Sequence, residues 1–320
     1  MEVKKNAMRQ MAKIWLAMAV GCVTLLAGCV TGHDVNINNP VELRLRAVMN
    51  LNTRASAGFD KRFPLTTDFC VWAYELPRNK KWAVFYPDAE EVVANERFVG
   101  SAVDSLWHPS ESLTWNYPQS MTLIAYAPYG LDCHYDHKHG IILDDFDIEQ
   151  HEGVDVMYTD FVEDRFAERS TLGVDMPFCH ALAKVDIKMR TPLQTPVVVH
   201  RIEFEGVHTQ GSFRSHPLPT WETNDERRNA ILYDSEEGWE LPLRNYQRVE
   251  GSEHLLMPQA AAVRIRVVAD LAVGGFGVMD KEFVTDPINI LWEPGKYYTY
   301  TIEFSQESIS IDEPNTEDLE

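Results

Sequence analysis

Apolar residues along this chain recur at every second position more often than at any other spacing. Val41-Glu42-Leu43-Arg44-Leu45-Arg46-Ala47 alternates cleanly, as do Lys184-Val185-Asp186-Ile187-Lys188-Met189 and Val263-Arg264-Ile265-Arg266-Val267-Val268-Ala269. Successive side chains of a strand point to opposite faces, so this period predicts strands with one packed and one wet face. Arg201-Ile202-Glu203-Phe204-Glu205-Gly206 repeats the pattern and ends on a turn residue, and Tyr298, Tyr300, Ile302 and Phe304 line one face of a late strand. Helical periodicity is scarce, with Asp88 to Phe98 the best short candidate. Strands on this spacing, punctuated by proline and glycine, indicate an all-β chain of antiparallel sandwiches. No repeat on the scale of a solenoid or propeller is visible.

The first residues break this pattern. Lys4, Lys5, Arg9 and Lys13 precede an apolar run that starts at Ile14 and reaches Gly28. That run suits a signal h-region and is short of the roughly 20 apolar residues a spanning helix needs. It ends in Leu26-Ala27-Gly28-Cys29, which resembles the lipobox of bacterial lipoprotein signals. The resemblance implies removal of residues 1–28 and a lipid on Cys29, with 29–40 a linker to the first strand.

Charge narrows the partners. The chain carries 29 Lys+Arg against 49 Asp+Glu, a net charge of −20. Loss of the leader makes the balance more negative, since it removes Lys4, Lys5, Arg9 and Lys13 but only Glu2 among the acids. A surface this acidic repels phosphates, which argues against a nucleic acid partner. A mature chain of about 290 residues exceeds the usual size of one core and suggests two domains.

Motifs for catalysis are missing. There is no GxSxG elbow, HExxH helix, EF-hand loop or phosphate-cradling GxxxxGK[ST], so no catalytic residue and no cofactor is assigned. Gly274-Gly275-Phe276-Gly277 lies between two apparent strands and reads as a hairpin turn. Asp145, Asp147 and Glu149 alternate onto what reads as an exposed acidic strand face. Beyond Cys29 only Cys70, Cys133 and Cys179 remain, without the spacing of a zinc site or a disulfide framework; Cys70 and Cys179 read as small buried hydrophobes. Asp132-Cys133-His134-Tyr135-Asp136-His137-Lys138-His139 holds the ligand types that suit zinc, copper or nickel. No fixed spacing converges His134, His137 and His139, so the segment reads as a polar loop with no metal.

Several pieces together are similar to the fimbrillin family of lipoprotein-exported bacterial pilin subunits. They are Trp115-Asn116-Tyr117-Pro118, the strand Met121 to Tyr129, Asp155 to Tyr158, Phe178 to Val185, Leu256 to Gln259, and Trp292-Glu293-Pro294-Gly295-Lys296-Tyr297-Tyr298-Thr299-Tyr300. By residue type, Trp115 and Trp292 close sandwich ends, Pro118 and Pro294 set turns, and Gly295 supplies a positive φ. The resemblance implies two tandem transthyretin-like antiparallel β-sandwich domains, 41–175 and 176–312, followed by an acidic tail, 313–320. It also implies assembly in which an arginine-specific protease removes the first strand and a strand from another subunit fills the groove. Here that strand is Val41, Leu43, Leu45 and Ala47, and Asn52-Thr53-Arg54-Ala55-Ser56 resembles the cleavage region, with Arg54 the cut site.

The expected protein is thus a non-enzymatic fimbrial subunit that is lipid-anchored at the outer membrane surface. It pairs with other subunits by strand addition and acts in adhesion to a host or bacterial surface ligand. After Phe304 only Ile309, Ile311 and Leu319 are apolar, a poor donor strand that favours a tip or accessory position. The alternative is a monomeric, surface-exposed glycan-binding lipoprotein using Trp72, Tyr74, Trp82, Trp107 and Trp221 as stacking platforms. Metabolic labelling with a fatty acid should mark the wild-type protein and not Cys29→Ala; equal labelling of both removes the lipid anchor from this reading.

Overall fold

Strand alternates with turn throughout the computed structural model, which describes residues 41–49, 63–115, 118–166, 173–194, 196–273, 276–305 and 307–318. In chain order the first half supplies β1 (Val41–Glu42), β2 (Leu45–Met49), β3 (Phe69–Leu76), β4 (Glu90–Gly100), β5 (Trp107–Pro109), β6 (Thr114–Trp115), β7 (Ser120–Ala127), β8 (Cys133–Asp136), β9 (Gly140–Asp147), β10 (Met157–Tyr158), β11 (Val162–Phe166) and β12 (Val174–His180). The second half supplies β13 (Ala183–Arg190), β14 (Val197–Val207), β15 (Gln210–Arg214), β16 (Thr220–Thr223), β17 (Arg228–Glu240), β18 (Gln247–Arg248), β19 (His254–Leu256), β20 (Gln259–Val273), β21 (Phe276–Val284), β22 (Ile288–Trp292), β23 (Lys296–Phe304), β24 (Ile309–Ile311) and β25 (Asn315–Asp318). One helical turn, α1 (Trp82–Phe85), and the 3-10 turn Tyr86–Asp88 are the helical elements among the described residues. The chain is all-β, as its apolar period predicts.

Backbone pairing in the first half runs in a ring. β7 pairs β3, β3 pairs β4, β4 pairs β5, β5 pairs β2, β2 runs parallel to β12, and β10 joins β12 back to β7. Inside lies a core of Leu43, Leu45, Phe69, Val71, Phe98, Trp107, Leu123, Met176 and Phe178, among others.

β3 and β7 are buried on both faces. Phe69, Val71 and Ala73 of β3, with Leu123 and Ala125 of β7, point into the ring. Their neighbours Cys70, Trp72, Tyr74, Ile124 and Tyr126 point the other way, into a second core that runs on through Phe146, Phe204, Ile265, Trp292 and Tyr300. A strand packed on both faces reads as an unbroken apolar run, which is why period two is hard to see in Phe69-Cys70-Val71-Trp72-Ala73-Tyr74.

The four-stranded sheet β16-β15-β9-β8 draws two strands from each half of the chain. β12 crosses the expected division at 175/176 and pairs with β2 and β10. Trp221 donates its indole N–H to the Ala181 carbonyl at 2.6 Å. Arg228 holds the carboxylates of Asp147 at 3.2 Å and Glu149 at 3.0 Å. Asp147 is buried and Asp145 takes a φ of +50°, so these acids do not form the exposed face that their spacing suggests. The bulge where β9 pairs β15 breaks the alternation.

Beyond this sheet, two sheets pack face to face. One is built on β13 and β23, and the other on β14 and β20. Phe204 packs edge-on against Trp292 at 5.3 Å and Tyr300 at 5.2 Å, and Phe283 meets Phe304 at 4.4 Å between ring centroids. Trp292 also donates to the Tyr300 hydroxyl at 2.9 Å. Gly295 has the expected positive φ, +69°.

Two expectations change. Asp88 to Phe98 is no helix: Glu90–Gly100 is β4, and pairing with both β3 and β5 overrides a weak helical pattern. The acidic tail is not wholly unpaired, because β24 and β25 lie one after the other along β23. A ladder of backbone hydrogen bonds needs no apolar side chain, so this strand leaves little trace in composition.

Nor are the three histidines on a bare polar loop. β8 and β9 form a hairpin with His137, Lys138 and His139 at its turn. Each imidazole goes its own way: His134 faces Asp144 at 3.8 Å, His139 Nδ1 meets Asp136 at 2.8 Å, and His137 sits among Tyr74, Trp82 and Tyr86, with ring centroids 5.0–5.4 Å away. Burial lowers the His137 pKa from its ordinary value of 6.5, against the pull of Asp136 and Glu91. The unfolded chain therefore takes up this proton first on acidification, and the His137 contribution to stability is fully present above about pH 6.5 and is lost as the pH falls below it. Between about pH 7.5 and about pH 5.5 the urea midpoint should fall further for the wild type than for His137→Phe, which keeps an aromatic ring without the titration. Equal falls would show that the ring is not held neutral.

Candidate strand-acceptor site

Four side chains of the first strand enter the ring. Leu43, Leu45, Ala47 and Met49 are 1%, 0%, 8% and 8% exposed. Val41, expected among them, is only half-buried and pairs across β1 and β6 with Trp115, which is itself fully buried. Met49 takes the fourth place. It lies on the same face two residues past Ala47, where apolar Val48 blurs the alternation.

The strand is also broken. Between β1 and β2 the Leu43 N–H donates to the Leu113 carbonyl at 3.0 Å, while the Arg44 carbonyl accepts from the Val174 N–H at 2.9 Å. From there β2 runs parallel to β12, with Leu45 beside Val174, Ala47 beside Met176 and Met49 beside Phe178. On its other side Leu45 pairs with Trp107 of β5. Where the chain enters β12, Gly173 has a φ of +77°, and a Cβ there would lie 2.8 Å from the Leu106 side chain and 3.3 Å from the Cβ of Arg46. Glycine thus lets β12 come close alongside β2.

Size varies along the row. Met49 lies next to Phe178, which belongs to an aromatic wall with Phe63 at 4.5 Å and Phe69 at 5.0 Å. Ala47, the one small side chain of the row, lies next to the fully buried Met176. Burying a large aliphatic side chain is worth roughly 1.5–3 kcal/mol, so Leu43, Leu45 and Met49 together hold the strand firmly.

The outward face is ionic. Arg44 bonds Glu42 at 2.9 Å, and Arg46 pairs with Asp175 of β12. The hydrogen bond from Arg44 holds the Glu42 carboxyl below its ordinary range, with His108 3.5 Å away. Exposed pairs of this kind add little stability, typically under ~1 kcal/mol. Their geometry does set which charges suit the outer positions.

Cys29 and Arg54 lie outside the described residues. No disulfide joins Cys70, Cys133 and Cys179; Cys179 is half-buried and not fully buried as expected, and burial raises the pKa of both Cys70 and Cys133, which makes them poor nucleophiles. Trp72, Tyr74, Trp82 and Trp107 are buried and Trp221 is half-buried, so they do not form an exposed row for stacking on sugars. Aromatic residues in strands packed on both faces look the same in sequence as aromatic residues on a surface. Among the described residues no group of three or more His, Cys, Asp or Glu side chains is placed to hold a metal ion.

The fold is shared with solved structures. A fimbrial protein from Bacteroides vulgatus superposes with a TM-score of 0.64 at 14% identity, covering 88% of this chain and 100% of that one. Candidate cell adhesion proteins from Bacteroides ovatus and Bacteroides uniformis superpose with TM-scores of 0.57 and 0.55 at 13% and 17% identity. The first pair of coverages is 88% of this chain and 98% of the other, and the second is 87% and 99%. No curated protein matches the chain by sequence. The sequence profile described as fimbrillin-like matches residues 53–318, which takes in nearly every strand described above, and the chain therefore belongs to the fimbrillin-like family.

Proposed function

We propose that this chain is a structural, non-enzymatic subunit of a surface fimbrium that assembles by exchange of its first strand and acts in adhesion. The observation that carries the proposal is the position of the first strand: among the described residues β2 alone joins β5 to β12 in the ring, and Leu43, Leu45, Ala47 and Met49 fill it. Removal of that strand leaves one edge of β12 and one of β5 unpaired beside empty side-chain pockets. Such an edge strongly favours the addition of a strand from another chain.

In this reading the protein reaches the outer membrane as a lipoprotein anchored through Cys29. Two tandem transthyretin-like sandwiches form the body, and cleavage at Arg54 separates residues 29–54, which carry the first strand, from the rest of the chain. While the first strand is covalently attached, its high effective concentration excludes competitors; once cut, it can be replaced. Other fimbrial subunits supply the replacement, and adhesion to a host or bacterial surface ligand follows from membership of the filament. A tip or accessory position suits a chain whose tail is rich in carboxylates. Family membership and the shared fold support a fimbrial role.

Limited digestion with an arginine-specific protease tests the switch. Wild type should lose its N-terminal segment through Arg54 and bind an added donor-strand peptide, whereas Arg54→Ala should keep its first strand and stay monomeric. Equal peptide binding by the mutant would show that Arg54 is not the cut that opens the groove.

A further inference from the structure

We infer that the groove under the first strand is coded against this chain's own C-terminus and takes a strand from a different subunit, one that presents a large, a large, a small and a large apolar residue at alternate positions with a cation before the small one. This inference rests on the strand-exchange reading above and names the partner that reading requires.

The pattern comes from what each position touches. Leu43 and Leu45 are fully buried, with Leu45 between Val174 and Trp107. Ala47, beside Met176, is the small member of the row and is itself buried, so the native pattern at this position is a short side chain. Met49 meets Phe178 and the aromatic wall beyond it. Between the second and third inward positions, Arg46 pairs with Asp175, which would repel an acidic residue.

The chain's own tail fails this pattern in every register. With Ile309 in the place of Leu43, Ile311 takes that of Leu45, but Asp312 then opposes Asp175, Glu313 enters the Ala47 site and Asn315 faces Phe178. Moved two residues along, Ile311 takes the place of Ala47, and Glu307 and Glu313 take those of Leu43 and Met49, which puts two carboxylates into the core. Any four alternate positions chosen from residues 307–320 include an aspartate or a glutamate. A carboxylate buried there without a partner costs more than the two isoleucines return. The tail also has a place of its own, since β24 and β25 are paired along β23. A second copy is therefore a poor donor, and growth by like subunits stops at this one.

Three peptides offered to the full chain after arginine-specific cleavage test the inference. They are residues 41–49, residues 307–318, and residues 307–318 carrying Asp312→Arg, Glu313→Ala, Pro314→Val and Asn315→Met. The native tail should bind about 100-fold more weakly than the first-strand peptide, and the altered tail should recover to within about tenfold of it. A native tail that binds within tenfold, or an altered tail that gains nothing, overturns the inference while leaving strand exchange intact. Failure of the 41–49 peptide itself to bind overturns both.

Discussion

The contact between β2 and β12 is the one on which the first half of the molecule depends. β3, β4, β7 and β10 find their partners in the ring without it, but among the described residues β5 and β12 are joined through β2 alone. The same five residues that complete the backbone ladder also place Leu45, Ala47 and Met49 in the core. Loss of this strand would thus remove pairing and packing together.

What keeps such a loss local is the double burial of β3 and β7. Their inner faces serve the ring, and their outer faces serve the larger core that continues through β9, β14, β20 and β23. The outer packing does not involve β2 at all. Trp221 and Arg228 add polar ties across the sheet that mixes strands from both halves. A groove can therefore open on one side of β3 and β7 while the other side stays packed.

Legibility in the sequence followed how many faces of a strand are buried. β2, β13, β14, β20 and β23 have one wet and one packed face over much of their length, and their alternation located them. β3, buried on both faces, has no such period, and β7 was located by its resemblance to a family segment instead. β4 reads as weakly helical because Glu90, Glu91, Ala94 and Glu96 suit a helix, and only its pairing partners decide otherwise. β25 is held by backbone hydrogen bonds to β23, which composition does not record. In the candidate site, three of the four expected side chains enter the core. Val41 does not, because the chain breaks at Leu43 and Arg44 to bond Leu113 on one side and Val174 on the other. Those are long-range partners that no local pattern announces.

The central claim is that the first strand is a removable part of the ring and not of the whole molecule. Amide hydrogen exchange read by mass, before and after arginine-specific cleavage, measures this directly. The account predicts that once residues 41–49 have left, amides in Val174–Phe178 and Trp107–Pro109 lose protection while those of β13 and β23 keep theirs. Unchanged protection of Val174–Phe178 in protein that has lost residues 41–49, or collapse of protection in β13 and β23 as well, would contradict it.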